Sequence, residues 1–134
     1  MAFRIANKEP IDLSANVGIG VSLPFSGPAV FNSTYQTGDQ IKSNIRNYFL
    51  SSKGERFLNP NYGSTIKRTI FESITNGTLN SLQQTVSDDM AKYFPTVKVE
   101  DLQVYGKEDS NEVKIELTYR TINSSTPQTL NILL

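Results

Sequence analysis

The stretch from Val113 to Arg120, which reads VKIELTYR, alternates apolar and polar side chains without interruption. Its odd-numbered residues are Val, Ile, Leu and Tyr, and its even-numbered residues are Lys, Glu, Thr and Arg. Because successive side chains of a strand point to opposite faces of a sheet, this pattern is typical of an antiparallel strand with one buried face. The stretch therefore predicts a sheet that other elements must cover on one side.

The sequence on either side of this strand extends the predicted sheet. Residues 97–104 hold two alternating apolar pairs that fall out of phase at Glu100-Asp101, which predicts one strand from Val97 to Val104 with a β-bulge. A polar turn from Gly106 to Asn111 leads into the next strand. After a loop at residues 123–127, the tail from Thr129 to Leu134 ends on three apolar residues.

The first half of the chain predicts a long helix. An apolar stripe at helical spacing lies at Ile41, Ile45, Tyr48 and Phe49. Thr37 or Asp39 is the candidate N-cap, and the helix is expected to run for about four turns and to end near Gly54.

Two further helices are predicted downstream. The shorter one begins at Gly63 or Ser64 and carries Ile66, Ile70 and Phe71. The longer one has Asn76 or Thr78 as its N-cap and is stopped by Pro95, because proline cannot continue a helix. Its apolar face consists of Leu79, Leu82, Val86, Met90, Tyr93 and Phe94.

Helices followed by strands indicate an α+β fold, with about three helices packed on one face of a small, mainly antiparallel C-terminal sheet. Near the N-terminus, alternation at residues 19–23 predicts a short strand that ends at Pro24, and Phe25 to Val30 reads as a loop. The 134 residues fit a single domain, residues 1–134.

The composition excludes several classes of function. The chain has neither Cys nor His, so thiolate metal sites, disulfides and histidine-based catalytic triads are impossible. Thirteen basic residues balance thirteen acidic ones, so no overall charge attracts the protein to nucleic acid or an anionic membrane. We expect no nucleic-acid partner, no cofactor and no metal, and folding in a reducing cytoplasm.

The segment from Leu13 to Gly38 carries no charged side chain, but glycine, proline and asparagine interrupt its apolar residues. It therefore lacks the run of about 20 apolar residues that spans a bilayer. The N-terminus also lacks the basic start and apolar core of a signal peptide. We expect a soluble, unprocessed protein without a membrane partner.

Two groups of charged residues are candidate sites. Glu55 and Glu72 flank one loop, and Asp88-Asp89 adds two carboxylates, so the pair of carboxylates required for glycoside hydrolysis is conceivable. A structural ion pair between Glu55 and Arg56 and a surface position for Glu72 are the alternative. A basic group could stack nucleic-acid bases on Tyr62, although such a group is more often a solvated helix face. It consists of Lys53, Arg56, Lys67 and Arg68.

The C-terminal tail is the more informative feature. No charged side chain follows Arg120, and only Pro127 blunts the final segment, whereas exposed edge strands usually carry charges, prolines or bulges. Two interpretations follow. The tail is either a buried final strand or an adhesive segment that lets a partner extend the sheet by β-augmentation.

A family resemblance joins these features. The chain has GIGVSLPF at residues 18–25, a helix from Ile41 to Leu50, GERFLNPNYGS at residues 54–64 and Ile70-Phe71-Glu72. In order, spacing and residue type it resembles the baseplate wedge family of contractile-tailed phages, whose members act as sheath initiators. The match runs from about Gly18 to Val104.

The resemblance implies a structural protein of the virion's tail baseplate, made in the host cytoplasm, with no cofactor and no small-molecule substrate. Relatives dock on the helical core bundle of the wedge and offer a small sheet to the tail sheath protein, which joins by strand exchange. The implied partners are thus the sheath protein and other wedge proteins, with the tail tube or hub as further candidates. The implied sheath contacts are Leu130, Ile132 and Leu134.

One motif departs from the family. Many relatives carry a Glu-Pro-Arg triplet after the third helix, whereas this chain reads Phe94-Pro95-Thr96. The proline that ends the helix is thus kept, but the two charged residues of the triplet are not. The implied contacts with the wedge core are Glu55, Arg56, Phe94 and Pro95. The family has also been called lysozyme-like, so the alternative function is a small muramidase that uses Glu55 or Glu72.

Overall fold

The computed structural model describes Asp12, residues 16–23, Phe25 and residues 32–134. The described elements, in chain order, are β1 (Gly20–Val21), β2 (Ser33–Thr34), α1 (Thr37–Leu50), α2 (Ile66–Ile70), α3 (Asn76–Tyr93), β3 (Val97–Lys107), β4 (Glu112–Thr121) and β5 (Gln128–Leu133). Most of the predicted loop from Phe25 to Val30 lies outside the described residues.

Strands β3, β4 and β5 form an antiparallel sheet in that order, with β4 in the centre. The predicted bulge is confirmed, because the register of β3 against β4 shifts between Val99 and Asp101. The four apolar side chains of β4 are fully buried at Val113, Ile115, Leu117 and Tyr119. The alternation in VKIELTYR therefore defines the buried face of the sheet, as predicted.

The helices cover this face of the sheet and share one core with it. Its largest helical members are Ile45, Tyr48 and Phe49 of α1, Ile66 of α2 and Met90 of α3, all with no exposed surface. Helix α3 packs directly on β3. The predicted α+β class, with helices over a C-terminal antiparallel sheet, is confirmed.

The start of α1 differs from the prediction. Neither Thr37 nor Asp39 is the N-cap; that position belongs to Gln36, whose side chain makes no capping bond. Instead, an Asp12 carboxylate oxygen accepts hydrogen bonds from the backbone N–H of Thr37 at 2.7 Å and from its hydroxyl at 2.8 Å. A residue distant in sequence thus satisfies the helix end, which local capping rules do not detect.

Other helix boundaries also differ from the predicted ones. Helix α1 ends at Leu50, before the predicted Gly54, and α2 begins at Ile66, after the predicted Gly63 or Ser64. The N-cap of α3 is Thr75, whose hydroxyl accepts the N–H of Thr78 at 3.2 Å, so the prediction of Asn76 or Thr78 was wrong.

The N-terminal strand is also shorter than predicted. Gly20–Val21 pairs with Ser33–Thr34, a strand that the sequence did not reveal. Both strands lie beside α1.

A tight connector, residues 51–64, joins α1 to α2. Its two ends meet, because the N–H of Ser64 donates to the carbonyl of Ser51 at 2.8 Å. Gly63 has φ of 123°, and a Cβ there would lie 2.7 Å from that Ser51 carbonyl oxygen. Gly54 also has a positive φ, 87°, but a Cβ there would meet no atom within 4 Å. Of these two positions, only Gly63 would give a substituted residue both an unfavourable φ and a collision with the backbone.

These two glycines make a matched test of the connector. Gly54→Ala should cost about 1–2 kcal/mol of unfolding free energy, because only the left-handed conformation is penalised. Gly63→Ala should cost about 3 kcal/mol or more, because a similar strain adds to contact with backbone atoms that cannot yield. Urea denaturation of both variants measures the difference, and equal losses would contradict this account of the connector.

Candidate functional site

The outer edge of the sheet is formed by β5. Val113 of β4 and Leu134 exchange both backbone hydrogen bonds, at 2.9 and 3.0 Å, so they form a hydrogen-bonded pair. In an antiparallel ladder such pairs alternate with pairs that do not bond each other. With the observed register, the bonded residues of β5 are Gln128, Leu130 and Ile132. Their N–H and C=O groups point towards β4.

The intervening residues of β5 direct their backbone groups away from the sheet. These are Thr129, Asn131 and Leu133, and no other described residue bonds their backbone N–H or C=O groups. Because side-chain direction and hydrogen-bond direction share the same two-residue period, the buried side chains determine which backbone groups face outward. β5 therefore offers an open edge of three N–H and three C=O groups.

The three residues expected to contact the sheath lie on the inner register of this edge. The side chains of Leu130 and Ile132 are 1% and 4% exposed, respectively, and belong to the core. Leu134 is half-buried, and its backbone is bonded to Val113. Any partner strand on this edge would therefore bond Thr129, Asn131 and Leu133, while Leu130 and Ile132 hold β5 in place.

The opposite edge of the sheet, β3, is obstructed around Leu102. By the same alternation, the carbonyl of Leu102 points outward from β3, and the side-chain amide of Gln83 on α3 donates to it at 2.9 Å. The bulge between Val99 and Asp101 interrupts the regular ladder close by. Bulges and covering helices are the usual means of preventing strand addition. The two edges of the sheet are thus unequal.

The exposed face of the sheet carries charged side chains beside the exposed Tyr105 and Leu133. Lys114 pairs with Glu116 at 2.6 Å, and Arg120 pairs with Glu100 at 2.9 Å. The hydrogen bond from Lys114 to Glu116 raises the pKa of the lysine. This face carries charge, whereas the β5 edge carries none.

Glu55 and Arg56 do not pair with each other. Within the described ranges the ion pairs are Arg68–Glu72, Lys114–Glu116 and Arg120–Glu100. Instead, a Glu55 carboxylate oxygen accepts the backbone N–H of Ser52 at 2.8 Å. The Arg56 guanidinium lies 4.1 Å from the centre of the Tyr62 ring, as in a cation–π contact. Both residues stabilise the connector, and the alternative of an ion pair between them is not what the structure shows.

An aromatic cluster centred on Tyr48 packs against the connector. The ring of Tyr48 contacts those of Phe49, Tyr62, Tyr93 and Phe94. Its hydroxyl donates to the Asp89 carboxylate, and burial is the main cause that raises the pKa of Tyr48, followed by that hydrogen bond.

The cluster includes Phe94, one of the residues expected to bind the wedge core, and Tyr93, which contacts the connector. Phe94 is half-buried against Tyr48, whereas Pro95 is exposed. Tyr93 donates its hydroxyl to the carbonyl of Asn61 at 3.1 Å and so binds the connector to α3.

The candidate catalytic carboxylates all bond other protein groups. Glu72 forms an exposed pair with Arg68 at 3.9 Å, and Asp88 accepts the Gln84 amide at 3.0 Å. An open cavity of about 600 Å³ lies between β1–β2 and α1, and neither Glu55, Glu72, Asp88 nor Asp89 lines it. In the described part of the chain, no three His, Cys, Asp or Glu side chains gather as they would around a metal ion.

A family model supplies the decisive comparison. Residues 36–126 match the model described as baseplate wedge protein gp25, which covers α1 through most of the sheet. The chain belongs to this baseplate wedge family. The expected resemblance is therefore confirmed, and membership gives the chain a structural role in a tail baseplate. No curated protein matches the sequence of this wedge protein.

Several solved structures share the fold, among them the following three. A candidate tail lysozyme from Geobacter sulfurreducens is 20% identical, with a TM-score of 0.67 over 75% of this chain and 92% of that one. A chain of the type VI secretion system baseplate complex is 16% identical, with a TM-score of 0.57 over 71% and 89% of the two chains. A chain of the anti-feeding prophage baseplate is 17% identical, with a TM-score of 0.55 over 84% and 81%.

None of the helices in the described residues is long and apolar enough to cross a membrane.

Sequence reasoning missed Gln83 because a lone glutamine on a helix surface gives no signal of what its amide will reach. The sheath contacts that the resemblance implies lie on alternate residues of the tail, whose backbone groups face β4. Pairing of the tail with Val113–Tyr119 in register would have shown the outward set.

Gln83 can be tested against its neighbour. Gln83→Ala should remove about 1 kcal/mol of unfolding free energy and leave the Leu102 carbonyl open, which should increase concentration-dependent self-association. Gln84→Ala is the matched control, since Gln84 bonds only within α3. Chemical denaturation and sedimentation velocity measure the two effects. If both variants behave alike, Gln83 does not protect the β3 edge.

Proposed function

We propose that this wedge protein is a non-enzymatic structural component of the baseplate that initiates the tail sheath by strand pairing at β5. A strand of the sheath protein would add to β5 and bond the backbone groups of Thr129, Asn131 and Leu133. The sheet β3–β4–β5 would thereby become the first site on which the sheath assembles.

The difference between the two sheet edges carries this proposal. β3 has an amide from α3 on the outward carbonyl of Leu102 and a bulge close by, whereas β5 has neither a bulge nor a described partner on any of its outward backbone groups. Natural proteins usually blunt an edge that is not meant to pair. A sheet with one partly obstructed edge and one regular, open edge therefore favours strand addition at β5.

The composition of β5 fits the same function. Its sequence, QTLNIL, has no charge, no proline and no bulge, so no side chain repels an incoming strand. Leu130 and Ile132 lock the strand to the core, which orders its backbone before a partner arrives. A pre-ordered edge lowers the entropy cost of pairing.

The helical side of the molecule would dock on the wedge's helical core bundle. The candidate contacts there are Glu55, Arg56, Phe94 and Pro95. The guanidinium of Arg56 is held over Tyr62, and no described residue accepts a hydrogen bond from it, so its donors remain for a partner carboxylate. Pro95 is exposed and Phe94 half-exposed, which suits a contact surface rather than a core.

This function requires no catalysis, cofactor or small-molecule substrate. Glu55 acts as a hydrogen-bond acceptor for the connector, which accounts for the residue without chemistry. Turnover of peptidoglycan by purified protein, lost in Glu55→Gln with the fold intact, would contradict this part of the proposal.

A single proline tests the edge. Asn131→Pro removes an outward N–H without touching the bonds to β4, and proline is tolerated on edge strands. It should leave a folded protein that enters baseplates but should reduce sheathed tails at least tenfold. Electron microscopy of particles from a phage that lacks the gene and receives each variant measures this.

The matched control for the proline is Asn131→Ala. It removes the same exposed side chain but keeps the N–H, so sheaths should assemble normally. Truncation of the tail is a poorer test, because it would also remove Ile132 from the core. Normal sheaths with Asn131→Pro, or sheath loss with Asn131→Ala, would exclude backbone pairing at β5.

A further inference from the structure

The tip of the connector presents two adjacent apolar side chains to solvent. Phe57 is 96% exposed and Leu58 is 95% exposed, although the connector lies beside the aromatic cluster of the core. Single exposed apolar residues are common on protein surfaces, but two large ones side by side and fully exposed are characteristic of contact sites.

The connector holds these side chains in a defined position. The N–H of Gly54 donates to the carbonyl of Pro60 at 2.7 Å, which closes the loop below its tip. The Glu55 carboxylate, the Arg56–Tyr62 stack and the bond from Tyr93 to Asn61 fix the loop on both sides. Because the backbone is already ordered, burying the tip against a partner costs little loop entropy.

We propose that Phe57 and Leu58 anchor this chain in an apolar pocket, rimmed by carboxylates, on another protein of the baseplate. The inference rests on the proposed function and deepens it. Glu55 and Arg56 hold the connector, and the binding energy of the contact comes chiefly from the two apolar residues that follow them. In interfaces, aromatic side chains that fill pockets carry much of the binding energy.

The charges near the tip indicate which kind of residue surrounds the pocket on the partner. Lys53 and Arg56, which precede the two apolar residues in the connector, are both exposed, and the Glu55 carboxylate between them accepts the N–H of Ser52. With two cations and one anion, the connector carries one net positive charge in a protein whose overall charge is zero. Electrostatic complementarity calls for acidic side chains around the pocket.

The area of the tip argues against a second copy of this chain as the occupant. A phenylalanine side chain buries about 150–250 Å². With the leucine, the total stays well below the about 800 Å² per partner of a stable interface. The tip thus fits an assembly in which the same partner also contacts other surfaces, such as Pro95, and does not support a dimer by itself.

The experiment measures how much of this chain enters tail particles. A phage that lacks the gene receives the wild-type chain or the double variant Phe57→Ser, Leu58→Ser, and mass spectrometry quantifies the chain in purified particles. The double variant should fall at least tenfold, whereas Phe57→Leu, Leu58→Met should restore incorporation. Thermal unfolding of the purified variants verifies that each one is folded.

Two matched controls define the surface. Ile122, directly after β4, is a 73% exposed apolar residue, and Ile122→Ser should leave incorporation unchanged. Lys53→Glu should lower incorporation severalfold, while Lys107→Glu, at the end of β3, should not. Wild-type incorporation of the double variant, or equal losses with Ile122→Ser, would overturn the anchor.

Other occupants give distinct outcomes. A wild-type dimer that becomes monomeric in the double variant on sedimentation would assign the tip to a second copy and overturn the proposal. Binding to vesicles of anionic phospholipid that the double variant loses would assign it to a membrane, with the same consequence. Sheath length on the same particles reports separately on β5: normal entry without sheaths in Asn131→Pro supports strand pairing whatever the double variant does.

Discussion

The burial of every second side chain along β4 and β5 is the constraint on which the rest of the structure depends. Val113, Ile115 and Leu117 are wholly buried, and Leu130 and Ile132 lie beside them under the helices. Since side-chain and backbone directions share one period, this core also sets which groups of β5 face outward. A one-residue slip would move the apolar residues into water and turn the bonding groups the other way.

The helices make the two edges of the sheet different. Helix α3 packs on β3 and places the Gln83 amide on the outward carbonyl of Leu102, while β5 remains open at the far side. The aromatic cluster around Tyr48 joins α1, α3 and the connector, so the loop that carries Phe57 and Leu58 is positioned by the same core. Two contact surfaces, an edge of backbone groups and an apolar tip, thus share one rigid support.

The sequence predicts what depends on local periodicity. The strand at Val113, the bulge near Glu100 and the end of α3 before Pro95 follow from alternation and proline chemistry, and the structure confirms them. Contacts between distant residues escape such reasoning: Asp12 caps α1, and Gln83 reaches β3. The tip escaped it for a different reason, because apolar residues in a loop carry no sign of their exposure. Family resemblance supplied the functional class that periodicity could not.

Residue-resolved amide hydrogen exchange of β5, before and after assembly into tails, tests the central claim most directly. In the free protein, the amides of Thr129, Asn131 and Leu133 should exchange rapidly, while those of Leu130 and Ile132 should be protected by their bonds to β4. In sheathed tails all five should be protected. Rapid exchange of the three outward amides in sheathed tails, or protection of them in the free protein, would contradict the account.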